Sequence, residues 1–176
     1  MAAVSGGGRL GAALQGMANR LSDASSVDVG FLEGSTYPDG TSVPMVAAIQ
    51  EYGAPRVGIP PRPYFRNMIS KRSGEWPRAV SDLLKANDYD ARRTLEQTGA
   101  AIAGQLQQSI VDTNDPPLSP VTLMVRQIVG PNGTPTFADV MEARRRVDAG
   151  EVASGVSTKP LVWTGNLLNS VSYRVR

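Results

Sequence analysis

A chain of 176 residues, 41% hydrophobic and 19% charged, is long enough to bury one sizeable core and too apolar to be disordered throughout. It has no cysteine and no histidine, which excludes disulfides, thiolate nucleophiles and the commonest general base and metal ligand. A net charge of +2 is too small to mark a nucleic-acid binder by itself, although 15 of the 18 basic residues are arginine. Arginine enrichment suits planar multi-donor contacts at interfaces or phosphates, and genome composition explains it equally well.

Gly 18 and Pro 13 predict long loops around a modest set of elements. No run approaches the ~18 apolar residues of a membrane span, so no membrane partner is expected. Met1 to Leu14 lacks the continuous apolar region of a secretory signal. The expectation is action in the cytosol or in a particle assembled there.

In chain order, residues 1–8 read as a flexible glycine-rich tail, and Arg9 to Ser22 as a first helix with Leu10, Leu14, Met17 and Leu21 on one stripe. Val27, Val29 and Phe31 alternate with Asp28 and Gly30, which predicts a strand over Ser26 to Leu32. A Pro38-Asp39-Gly40 turn follows. Ser42 then caps a short helix, Val43 to Tyr52, closed by Gly53, with Met45, Ile49 and Tyr52 expected inward. The prolines in Ile59 to Phe65 hold φ near −65° and predict a stiff extended arm, with a helical turn from Phe65 to Lys71.

A helical hairpin is expected next: Glu75 to Ala86, then a long helix capped by Asn87 or Asp88 and running to about Val111. Leu95, Ile102, Leu106 and Ile110 share a face of it, and the small residues Gly99 to Gly104 allow close approach of another backbone. Ser119 and Pro120 start a short helix to Gln127, and Phe137 to Val147 reads as amphipathic. Gly150 to Thr158 reads as flexible. Thr164 caps a turn over Gly165 to Asn169, and Val171, Tyr173 and Val175 mark a final strand that pairs with the first. The predicted fold class is α+β: a small, mostly antiparallel sheet of an N-proximal and a C-terminal strand, packed with several helices including a long central one.

Little in this chain suggests catalysis. Gly6-Gly7-Gly8 follows no strand and lacks a Lys-Ser/Thr ending, so it reads as tail rather than phosphate cradle. Asp88, Asp90, Asp112 and Asp115 sit at helix ends, where capping and solvation account for them. No catalytic, cofactor or metal residue is assigned. Arg144, Arg145 and Arg146 form the densest basic cluster, yet consecutive helical positions fan over about 200° and cannot all face one partner. They are candidates for either a DNA or a subunit contact. Arg62, Tyr64, Phe65 and Arg66 on the stiff arm are the leading subunit-interface candidates. Pro60 and Pro63 also match an SH3-ligand spacing, but a fixed structural arm explains them better. Trp76 and Trp163 read as core or interface anchors, with Trp163 an additional interface candidate.

Three ordered blocks carry a family resemblance. The first is VDVGFLEGSTYPDGTSVPMVAAIQEYG, Val27 to Gly53, leading into IPPRPYFRNMI, Ile59 to Ile69. The second is DPPLSPVTLMVRQ, Asp115 to Gln127, and the third is KPLVWTGNLLNSVSYRV, Lys159 to Val175. In this order they resemble the virion-morphogenesis, neck and tail-completion proteins of tailed bacteriophages, whose blocks read EFG or EYG, IPPRPF, PPLSPxT and KPLxDTGxLxxSI. Two departures stand out: Trp163 replaces a polar or acidic residue, and an insertion, 128–158, carries the arginine cluster.

The resemblance implies a single domain, 1–176, acting in virion assembly as one subunit of a ring that joins head to tail or completes the tail. The implied partners are further copies of the chain and the other neck, connector and tail-tube proteins, with non-specific contact to genomic DNA, all within the virion. Two rivals stand beside it: a DNA-contacting protein lining the connector channel, and a peptidoglycan-cleaving tail component. The second lacks His, Cys or a paired-carboxylate motif to support it.

Overall fold

Two valine-rich strands lie at opposite ends of the sequence, and neither is stable alone. In the computed structural model, which describes residues 7–176, β1 (Val27–Phe31) and β2 (Val171–Val175) pair antiparallel with Val27 opposite Val175 and Phe31 opposite Val171. Arg176 extends the ladder by exchanging backbone bonds with Ser26, and its guanidinium meets Asp28 at 2.8 Å. A two-stranded ribbon is marginal in water and needs a covering layer.

That layer is the long helix α5 (Ala91–Asp112), which packs against both strands. Gly99 is where the sheet touches it: a Cβ there would lie 2.6 Å from Tyr173 Cδ2 and 2.8 Å from Val27 Cγ2. Leu106 and Ile110 are fully buried as expected, whereas Leu95 and Ile102 are only half-buried. Thr94 and Thr98 take the inner positions instead, each hydroxyl bonded to the carbonyl four residues back. The cap of α5 is Asp90, whose carboxylate accepts from Arg93 N at 2.9 Å. Asn87 and Asp88 do not serve because the turn from α4 (Trp76–Ala86) uses two left-handed residues, Asp88 and Tyr89. Asn87 instead donates across the hairpin to Thr94 and Gln97.

Beneath α5 lies a core built from α2 (Val43–Tyr52), α3 (Tyr64–Arg72), α8 (Asn166–Asn169) and β2. Val43, Ala47, Tyr64, Met68, Leu106, Ile110, Leu161, Leu167 and Val171 form one contiguous cluster. The inward face of α2 differs from the expected one. Val43, Ala47 and Glu51 point in, while Met45 and Tyr52 are exposed. The helix is apolar nearly all round, so its composition does not single out a face, and the acid among the inward residues has a dedicated role described below.

A second helical pair, α6 (Pro120–Val129) and α7 (Phe137–Asp148), flanks this core. Ser119 caps α6 through Thr122 N, and Thr136 with Asp139 forms a capping box on α7. The first helix, α1 (Gly7–Leu21), already includes Gly7 and Gly8, so the expected tail is shorter; the rest of it, 1–6, lies outside the described residues. Among the described residues the chain has eight α-helices and one small antiparallel sheet, an α+β fold.

Gly99→Ala is expected to destabilise the protein by about 1–3 kcal/mol, because the added methyl meets Tyr173 and Val27 within van der Waals radii. Gly104→Ala, in the same helix with nothing within 4 Å, is expected to stabilise it by about 1 kcal/mol. Urea titrations of both variants measure this; equal effects would contradict the close helix–sheet contact.

Candidate functional site

The proline segment is not a projecting arm. Arg62 N donates to Gln50 O at 2.8 Å, and Ile59 bridges to Ala54, so the stretch lies along the end of α2. Arg62 is only 5% exposed; its Nε donates to Pro116 O at 3.1 Å and its Nη1 to Gln50 Oε1 at 3.5 Å. Tyr64 is 1% exposed, donates to Ala47 O at 3.1 Å and meets Phe31 edge-on. Burial, with Glu51 nearby, pushes its hydroxyl pKa up. Phe65 packs half-buried against the core.

Of the four arm candidates only Arg66 is exposed. As interface candidates, Tyr64 is therefore corrected to an internal position and Arg62 to the wall of a cleft. Proline stiffness lowers the entropy cost of packing a segment inward as much as it lowers the cost of presenting it.

Glu51 holds this segment in place. Its side chain, 6% exposed, accepts from Phe65 N at 2.8 Å, Arg66 N at 3.2 Å and Arg66 Nε at 2.7 Å. The carboxylate thus satisfies the open N–H groups at the start of α3, where Pro63 offers no side-chain cap. The Arg66 guanidinium then lies 4.9 Å from the centre of the exposed Tyr52 ring.

A second buried cation fastens the third sequence block. Arg126 of α6, 5% exposed, donates through Nη1 to Ser157 O and Lys159 O, both at 2.8 Å, and through Nη2 to Pro160 O at 3.0 Å. Lys159 Nζ in turn donates to Val111 O at the end of α5, at 2.8 Å. Trp163 is half-buried, with the Arg126 guanidinium 5.5 Å from its ring centre. Burial lowers the Arg126 pKa, and Arg62 lowers it further. Burial also lowers that of Arg62, partly offset by Asp115.

Neither Glu51 nor Arg126 was singled out from the sequence. Glu51 lies four residues after the buried Ala47 and so on the same face of α2, whereas Arg126, two after Met124, has no such spacing to mark it.

The arginine cluster is largely neutralised on its own helix. Arg145 binds Glu142 through Nε at 2.8 Å and Nη2 at 2.7 Å, and Arg146 Nε meets the same carboxylate at 2.7 Å. These bonds hold the Glu142 pKa down to about 2. With Asp139 and Asp148, α7 carries three acids against three arginines. Arg144 is exposed and has no ion pair among the described residues.

The least satisfied surface is apolar. No residue of α1 is buried; Leu10 is 62% and Leu14 57% exposed, and Leu21 is exposed on the same stripe. Of the predicted stripe, the three leucines are exposed and Met17 is half-buried. Phe137 at 79% exposure, Met141 and Val152 are further uncovered apolar side chains in the stretch 137–152. Among the described residues no group of three acids could hold a metal, and no helix is long and apolar enough to cross a membrane. Comparison with family models, curated proteins and solved structures finds no match to this chain.

Glu51→Gln is expected to cost about 2 kcal/mol in urea denaturation, because the α3 N–H groups and Arg66 lose a charged acceptor. A loss below about 0.5 kcal/mol would remove the clamp from the account of the fold. For Glu142 the folded pKa is lowered, so its stabilising contribution exists above the ordinary carboxylate range and disappears as pH falls through about 2. NMR titration of its side-chain carboxyl should give that midpoint, and Arg145→Gln with Arg146→Gln should return it toward the ordinary value.

Proposed function

We propose that this chain is a structural subunit of a tailed-bacteriophage neck or tail-completion ring, acting in virion assembly by joining or closing rather than by catalysis. The observation that carries this reading is how the resembling blocks come together. Val27–Gly53 meets Lys159–Val175 through the β1–β2 ladder. The same block meets Ile59–Ile69 through Glu51, Arg62 ties that segment to Pro116, and Arg126 ties Asp115–Gln127 to Lys159. The residues that resemble the phage family therefore make one mutually fastened scaffold.

The stretches outside those blocks, α1 and the insertion, carry much of the uncovered apolar surface. Exposed leucine and phenylalanine stripes of this kind are expected where subunits meet. A closed ring offers each subunit two different neighbours, one for each surface.

Light scattering at several concentrations, followed by negative-stain imaging, is expected to show discrete rings, or a monomer that attaches to isolated phage heads or tails. Leu10→Glu with Leu14→Glu lies on exposed positions, so it should abolish assembly while leaving the circular dichroism spectrum unchanged. Deleting the proline segment is a poor test, since it removes Tyr64 from the core. A monomer that binds neither heads nor tails would overturn the proposal.

A further inference from the structure

Arg62 and Arg126 line one cleft of about 480 Å³ between the proline segment, α6 and the Pro160–Trp163 strap. Both guanidiniums are about 95% buried by residue, yet neither forms an ion pair among the described residues. Asp115 acts on Arg62 only from a distance. Backbone carbonyls and Gln50 already accept from both groups, so what stays open is their positive charge and the N–H groups not yet used.

Their existing bonds leave room for an anion. Arg62 Nη2 and Arg126 Nε have no acceptor among the described residues. Among the described residues no fully buried side-chain nitrogen lacks a partner, so both of these reach solvent. The rest of the wall is mixed, with Ile59, Leu118, Val125 and Trp163 beside Gln50, Ser119 and Thr122.

We propose that this cleft binds an acidic peptide segment of a partner protein, with two carboxylates on one face of the segment turned toward Arg62 and Arg126. Guanidinium forks match carboxylates in geometry, and acids two residues apart on an extended segment point the same way. Duplex DNA fits poorly, because its phosphates lie on a convex surface while these guanidiniums are recessed. The inference goes beyond the ring reading and holds or fails without it.

The test is isothermal titration of the full chain with a blocked Pro-Glu-Leu-Glu-Pro peptide, its glutamine twin, and inorganic phosphate. The glutamate peptide should bind at least about tenfold tighter than the twin and than phosphate, as expected for a charge-assisted hydrogen bond. Arg62→Gln should weaken it about tenfold.

Thr122→Glu is the variant that protects the test from misfolding. Thr122 is exposed on the cleft rim, three residues after the Ser119 cap, where glutamate completes a capping box. It should leave the melting temperature intact and weaken the peptide by a similar factor through repulsion. Equal binding of the glutamine twin, phosphate binding as tight as the peptide, or an unaffected Thr122→Glu variant would each overturn the proposal.

Discussion

The fold depends on a carboxylate placed where a helix begins. Glu51 ends α2 and, through three hydrogen bonds, starts α3; between them a proline-rich turn can take only one path. That path sets Tyr64 and Met68 into the core and brings Arg62 to Pro116. Without the carboxylate, the first N–H groups of α3 would face a proline with nothing to offer them. The charge is buried because it has work on every side, and its ion pair with the exposed Arg66 is one contribution among several.

Further along the chain the same solution recurs with opposite sign. Arg62 and Arg126 donate to backbone carbonyls of irregular segments, at Pro116 and at Ser157 to Pro160, and Lys159 donates to Val111 O at the end of α5. Loops rich in proline have carbonyls to satisfy and few N–H groups with which to pair them. Long cationic side chains from neighbouring elements fill that deficit, which accounts for buried arginines with no acid beside them.

Much of the element order was legible because it rests on local signals. The β1–β2 pairing followed from two alternating valine runs, and the Ser42, Ser119 and Pro120 boundaries followed from capping chemistry. What was not legible was orientation. The α2 face was misread because alanine and a buried acid outcompeted Met45 and Tyr52 for the core. The α1 stripe follows from helical spacing, but spacing alone does not say whether another element covers it. The proline arm was read from its stiffness, whereas its direction is fixed by Glu51 and Gln50, which lie before it in sequence but bind it only in three dimensions. Of the candidate contacts, Arg66 and Trp163 keep access to the surface, while Arg62 reaches it only through a cleft.

The α7 helix rests principally on α6 and buries a single residue, Ala143. Its packing is concentrated on α6, so changes along its length are expected to reach the central core less than changes in α5. A segment coupled this weakly can accumulate substitutions, lengthen or be exchanged without loss of the scaffold. The surface of α7 is therefore a place where a partner's demands can be met at little expense to folding.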